Sequence, residues 1–409
     1  MKRLFASLSL AAVLGMGAPA CALADAQEQH DLYIDAMRSL SEGRQNDASE
    51  ALTRMIQQEP QHAGAWLDLA IIQCELGHAA EAEQLFRTIE TRFAPPPVIV
   101  EVINKLRTQG CKGWEPRVNM SVAIARGVDS NVNQGASNPN FTFGTGESQF
   151  TLELLPEYLP RSDHYTALSA DYIRDLNANG TIGFLQARLQ QNDTLSAYNT
   201  SSLAAGVEHP LRLGTWSARG TGVLAALGLG GRLYQRQAQL QMRLTPPLPL
   251  PSTLQFSMLG GLSRMEYATL TGYNSNTWEL RGLLTYRTSE TQAQASAGYL
   301  VDRGSTLRPG GDRTGWFNNL GVRTQLPYDF TGELAWTRQT WEAESFYSPG
   351  LIDVKRRQET QVLRGVLSYP LSPYQTVNFE LRGVRNAENI SLFQYNSRQI
   401  QVNWQWHNF

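Results

Sequence analysis

The chain is 409 residues long, 42% hydrophobic and 18% charged, with a formal net charge of -2 at pH 7. This composition excludes wholesale disorder, and the near-neutral balance gives no electrostatic basis for nucleic-acid binding. The length exceeds one ordinary compact domain, so two regions are expected, although a large β-barrel is an allowed exception.

Residues 1–24 read as a secretory signal: Lys2 and Arg3, an apolar run from Leu4 to about Gly17, then Ala22-Leu23-Ala24 as a small-residue cleavage site. A lipoprotein signal is the alternative because Cys21 lies nearby, but Ala18-Pro19-Ala20 before it is a poor lipobox. Cleavage after Ala24 leaves Cys74 and Cys111 as the mature cysteines. In an oxidising compartment an isolated pair is a disulfide candidate more often than a metal site, since two thiolates do not complete a tetrahedral zinc shell. No later run of about 18 apolar residues exists, so no transmembrane helix is expected.

From Gln27 to about Gly110 the apolar period is helical, within a region assigned to residues 25–113. Gly43, Ala48, Leu52 and Met55 recur as Gly77, Ala82, Phe86 and Ile89, each 34 residues later, which is the tetratricopeptide period. Trp66, Leu69 and Ala70 open the second copy, small residues letting paired helices approach while large ones fill the groove between them. An unrelated antiparallel helical hairpin pair is the bland alternative. Two repeats leave both end faces uncovered, so a capping helix is expected, and Val98 to Gln109 supplies one after Pro95-Pro96-Pro97. A Cys74–Cys111 bond would pin that cap to the second repeat.

From Trp114 to Phe409 the period changes to two. Leu254, Phe256, Met258, Gly260 and Leu262 alternate with Gln255, Ser257, Gly261 and Ser263, with Leu259 as an exception; Gln235, Gln237, Gln239 and Gln241 alternate with Arg236, Ala238, Leu240 and Met242. About fifteen such segments are legible, near 117–126, 149–158, 164–175, 181–191, 197–208, 215–226, 232–244, 253–264, 277–287, 292–302, 314–325, 331–341, 357–370, 375–385 and 396–409. A bacterial single-chain barrel has an even number, so one segment is miscounted and about fourteen strands are expected. The fold class is thus a short tetratricopeptide α-helical domain followed by an antiparallel transmembrane β-barrel. A soluble β-sandwich or lipocalin-like fold also alternates. Against it stand the strand number, the charges Glu279, Arg281, Glu380 and Arg382 on the wet face, and eight of nine tryptophans from Trp114 onward, as interfacial girdles require. The terminal Phe409 suits a strand end read by the outer-membrane assembly machinery, although it falls out of phase with Ile400, Val402, Trp404 and Trp406, as a bulge or frayed end would leave it. Residues 245–251 and 371–373 read as short periplasmic turns, and 265–276 and 342–355 as longer extracellular connections. The expected location is the outer membrane of a Gram-negative cell, the helical domain in the periplasm and the lipid bilayer as a partner.

Asp129, Asn131 and Asn133 have the spacing of a calcium loop, but an EF-hand needs glycine at its sixth position and glutamate at its twelfth, where Gln134 and Asn140 stand. Asp175 to Gly180 has the glycine but ends at Gln186, and Asn179-Gly180 reads better as a hairpin turn. Neither is an EF-hand, so no metal or cofactor is expected. The first stretch follows the first barrel strand and precedes a Gly, Ser and Asn-rich connection up to Glu147, which places its polar groups at a barrel mouth or in the lumen. Asp129-Ser130-Asn131-Val132-Asn133-Gln134, after a secretory signal and a short repeat domain, resembles the surface lipoprotein assembly modulator (Slam) family. The resemblance implies an outer-membrane factor that moves lipoproteins or related secreted proteins to the cell surface, the helices receiving the client and the barrel providing the route. It makes Asp129, Asn131, Asn133 and Gln134 candidate client-binding residues, beside the lumen candidates Glu279, Arg281, Glu380 and Arg382. The small helical domain departs from the family pattern.

Catalysis has little support: the six histidines are scattered, no H-E-x-x-H or G-x-S-x-G occurs, and Gly228 to Gly231 lacks the lysine of a phosphate loop. A triad assembled from different strands would leave no motif. The rival reading is an exopolysaccharide export porin, which also joins tetratricopeptide helices to a barrel; a passive pore or adhesin is the third.

Overall fold

The computed structural model describes residues 32–143 and 150–408, in two compact units, Met1–Glu115 and Pro116–Phe409. The signal segment, the connection up to Glu147 in part, and Phe409 lie outside the described residues.

In the first unit, α1 (residues 32–41), α2 (Gln45–Gln58), α3 (Ala63–Glu75), α4 (Ala79–Phe93) and α5 (Pro97–Gln109) are helical. Their pairing follows the repeat. Ala48, Leu52 and Met55 of α2 and Ala82, Phe86 and Ile89 of α4 are all buried, each trio at i, i+4, i+7 on one helix face. Gly43 and Gly77 take the same place in the two copies, with φ of 76° and 84°, so each ends a helix in the left-handed region that glycine adopts without a Cβ clash. Two apolar clusters result. Leu52, Leu69 and Ile72 centre the first; Cys74, Phe86, Ile89 and Ile103 centre the second, where α5 closes the array. Cys74 and Cys111 are bonded, with Cα atoms 4.6 Å apart. Arg107 of α5 reaches Glu83 at 2.9 Å and Glu90 at 2.7 Å, and its guanidinium holds both carboxyls below the usual range. The Tyr33 hydroxyl donates to Asp68 at 2.7 Å, which pushes its phenol up to about 12.

The second unit is a closed antiparallel barrel of fourteen strands. These are β1 (Val118–Asp129), β4 (Asp163–Asp175), β5 (Ile182–Asn192), β6 (Thr200–Leu213), β7 (Trp216–Leu229), β8 (Arg232–Thr245), β9 (Leu254–Tyr267), β10 (Ser275–Arg287), β11 (Thr291–Gly304), β12 (Arg313–Gln325), β13 (Thr331–Ser348), β14 (Ile352–Ser372), β15 (Gln375–Glu388) and β16 (Tyr395–His407). The surplus segment of the sequence pattern was 149–158. It forms β3 (Phe150–Glu153), which pairs only with β2 (Asn140–Phe143), and a short turn of helix at Pro156–Tyr158, so this stretch is a hairpin in the first long connection. Alternation alone does not distinguish a hairpin over the mouth from a spanning strand.

Register fixes which face each residue takes. Ile124 lies between Leu168 on β4 and Trp404 on β16, and all three are exposed on the outside. Leu240 and Leu262, Leu280 and Tyr299, Trp336 and Leu363 form further outward pairs. Leu259, out of phase in the sequence, faces inward opposite Arg281. Trp216, Trp278, Trp316, Trp336, Trp404 and Trp406 stand outward, but Trp341 shares the inward face with Gln358 and does not belong to a girdle. Residues 342–355 are another correction: β13 and β14 run on past the barrel rim as a ribbon, leaving only 349–351 as the turn. Paired positions such as Phe346 and Lys355 carry too little turn signal to end the strands, so the ladder continues.

Candidate functional site: the barrel lumen and its mouth

The strand ends at Val118 and His407 carry short connections such as 214–215, 288–290 and 373–374, whereas the opposite end carries 130–162, 193–199, 268–274, 305–312 and 389–394. In outer-membrane barrels the short turns face the periplasm and the long ones the outside. The chain enters from the helical unit at the short-turn end, so that unit is periplasmic. No helix among the described residues is long and apolar enough to cross a membrane; the spanning elements are the strands.

Side chains opposite the apolar belt line the lumen. Gln235, Gln237, Gln239 and Gln241 of β8 all face in, and Gln241 donates to Glu279 at 3.0 Å. Glu279 is also bonded to Arg281, whose guanidinium lies 3.8 Å from the ring centre of Phe317. Arg364 bridges Glu333 at 2.6 Å and Glu380 at 2.9 Å, while Arg382 donates to Gln399 at 3.2 Å. All four lumen candidates therefore face the interior, but in two separate groups. Arg188 with Asp171 and Arg219 with Glu208 continue the lining, so charges of both signs ring the wall. Arg188, Arg219, Arg281 and Arg364 each meet a carboxylate, which offsets the cost of a charge beside a low-dielectric wall.

The Asp129 motif sits at the outer mouth and binds its own chain. Asp129, buried at the end of β1, accepts from Asn131 N at 2.8 Å, Ser397 Oγ at 2.7 Å and Gln399 Nε2 at 2.6 Å. The Asn131 side-chain amide donates to the carbonyls of Gly135 at 3.0 Å and Asn396 at 2.9 Å and accepts from Gly135 N at 2.7 Å. Asn133 donates to the carbonyls of Glu157 and Leu159 and accepts from Arg161 N at 2.9 Å. Gln134 takes a left-handed φ of 51°, and a Cβ on Gly135 would lie 2.3 Å from Leu159 O, so the turn needs glycine there. The motif thus fastens residues 131–135 to 157–161 and clasps β16 across the β1–β16 seam.

A second cluster at the mouth left little trace in the sequence. Asp302, 0% exposed, accepts from Thr277 Oγ1 at 2.8 Å, Arg313 Nε at 2.7 Å and Arg308 Nη1 at 3.0 Å. Arg356 pairs with Glu388 at 2.6 Å and stacks on Phe393 at 4.3 Å; Arg313 stacks on Trp341 at 4.4 Å. Arg308, Arg313 and Arg356, with Tyr267, Tyr273 and Trp341, line a cavity of about 190 Å³. The buried Arg308 Nη2 has no hydrogen-bond partner. Three guanidinium groups and three aromatic rings thus line this part of the mouth. The inward phase of Asp302 on β11 was the available signal; the turn that folds Arg308 into the lumen was not. No cluster of three His, Cys, Asp or Glu side chains suited to a metal occurs among the described residues.

Residues 39–97 match the tetratricopeptide repeat family. No curated protein matches the chain at a significant level. Among solved structures, the chain is similar to an anion-selective porin from Comamonas acidovorans (TM-score 0.39, 9% identity, 72% of this chain and 99% of that one). It is also similar to the outer membrane channel DcaP of Acinetobacter baumannii (TM-score 0.39, 9% identity, 72% and 97%) and to a bacterial polysaccharide outer membrane secretin (TM-score 0.35, 7% identity, 71% and 97%). The protein is a fourteen-stranded outer-membrane β-barrel with a tetratricopeptide-like helical domain in the periplasm.

Proposed function

We propose that this protein is an export factor that passes a polypeptide client, a lipoprotein or a related secreted protein, from the periplasm to the cell surface. The observation that carries the reading is the union, on one chain, of a protein-binding type of helical repeat with a barrel whose inner wall carries glutamines and charges of both signs. Backbone amides and polar side chains of an extended client lose water in a narrow passage. Glutamines, arginines and carboxylates along the wall replace those hydrogen bonds, so the route is not a barrier of desolvation. The resemblance carried by residues 129–134 points the same way, and the clasp those residues make on β16 supports a mouth whose loop is held in a set position.

The alternative is an exopolysaccharide export porin, and one feature favours it. Aromatic rings beside arginines, as in the mouth cavity of Tyr267, Tyr273, Trp341, Arg308 and Arg313, suit an acidic sugar as well as a peptide. One experiment separates the two: proteomics of protease-shaved intact cells with and without the gene, beside an assay of secreted polysaccharide. Loss of one or a few surface proteins, with their retention in the periplasm, is the expected result. An unchanged protein surface with lost polysaccharide would overturn it and favour the porin. D129A/N131A is expected to reduce surface delivery while the barrel still assembles.

A further inference from the structure

The outward face of β6 to β9 has a groove in it. Ala205, Ala226 and Ala238 lie lower than Leu203 and Leu224 beside them, leaving about 510 Å³ open on the lipid side of the barrel. Arg236 and Arg264 stand at the end of this groove nearer the long connections. Glu266 holds Arg264 at 2.8 Å, whereas the exposed Arg236 has no hydrogen-bond or ion-pair partner among the described residues. Two guanidinium groups against one carboxylate leave the site basic.

Height decides what meets them. Below Arg236 on β8 the outward residues Ala238, Leu240, Met242 and Leu244 are all apolar, a run of about 20 Å along the membrane normal at roughly 3.4 Å per residue and roughly 40° of tilt. The arginines therefore sit at the outer rim of the apolar belt, level with headgroups, while the groove below them lies in hydrocarbon. Water and soluble partners are excluded from that depth, so the occupant is a lipid. Arginine forks match phosphate oxygens in bidentate fashion, and a phosphate leaves no unpaired guanidinium at the rim.

We propose that this groove is a binding site for a phosphorylated acyl lipid of the outer leaflet, with an acyl chain along Ala205, Ala226 and Ala238 and a phosphate on Arg236 and Arg264. The site is independent of the client, so it stands whether the barrel exports protein or polysaccharide.

The test titrates the full-length protein in detergent with purified lipid A and with the same lipid stripped of its phosphates, counting bound lipid by native mass spectrometry. R236Q/R264Q is expected to bind lipid A roughly ten- to thirtyfold more weakly. Ala226→Trp, which fills the groove and leaves both arginines, is expected to weaken it too. R174Q, an outward arginine at the periplasmic end of β4, is expected to bind as the parent does. Heat-modifiable mobility on gels establishes that each variant is a folded barrel. Equal binding of the dephosphorylated lipid, undiminished binding by R236Q/R264Q, or an equal loss with R174Q would overturn the proposal.

Discussion

In the helical unit Leu52, Ile72 and Phe86 are almost wholly out of water, and Glu83, Glu90 and Arg107 lie outside them. In the barrel Leu240, Leu280 and Trp278 stand out of the sheet while Glu279, Arg364 and Glu380 face in. The same side-chain chemistry is sorted in opposite directions because the first unit is surrounded by water and the second by hydrocarbon. What holds each together differs accordingly. The helices depend on dry packing, since short helices are marginal alone. The barrel depends on a closed ladder that leaves no backbone edge unpaired in lipid.

The sharpest break between the regions comes from Phe86→Ala, which opens a cavity in the second helical cluster. It is expected to cost about 3–5 kcal/mol and to lower the unfolding temperature of the helical signal in circular dichroism, with heat-modifiable barrel mobility unchanged. An equal loss in the barrel would show that the two units do not fold separately.

C74S/C111S is expected to cost the helical unit about 2–4 kcal/mol, because the bond closes a loop between residues 37 apart. The same thermal scan checks it, and the barrel again is the internal control.

Reversing the sorting tests the barrel. Leu280→Arg, in the middle of the lipid face, is expected to cost about 2–4 kcal/mol, whereas Gln239→Arg on the lumen face is expected to be nearly neutral. Urea unfolding from lipid vesicles measures both, and equal costs would mean the assignment of faces is wrong.

The smallest effect is pH-dependent. Glu83 and Glu90 have carboxyls lowered by Arg107, so their contribution is complete above the unbound value of 4.5 and is lost as pH falls through their lower folded values. Solvent screening keeps it to about 1 kcal/mol. Arg107→Gln is therefore expected to lower helical stability at pH 7 and to match the parent once the carboxyls are protonated.

The repeat was legible because its signal is local. Gly43 and Gly77 mark turns by backbone geometry, and the apolar trios they precede follow one helical period. The strand faces were legible for the same reason, since alternation assigns Gln239 and Leu240 to opposite sides whatever the register. Residues 149–158 misled because a surface hairpin alternates as a spanning strand does, and the end of β13 misled because pairing with β14 outweighed a weak turn signal. Trp341 misled because a tryptophan suits a girdle and an arginine-stacked lumen wall equally well.

Of the site, residue type and phase placed Glu279, Arg281, Glu380 and Arg382 in the lumen, but their partners Gln241, Arg364 and Gln399 lie on other strands. The Asp129 motif was visible as a motif, yet its clasp on Ser397 and Gln399 spans 268 and 270 residues. By itself, then, the sequence determined two units, their periods and the solvent each faces, because those depend on neighbours three, four or two residues away. Only the closed sheet decided which strand meets which, how Asn131, Asn133 and Arg308 are held at the mouth, and where an outward groove meets two arginines. Those contacts join residues far apart in the chain, and no local preference encodes them.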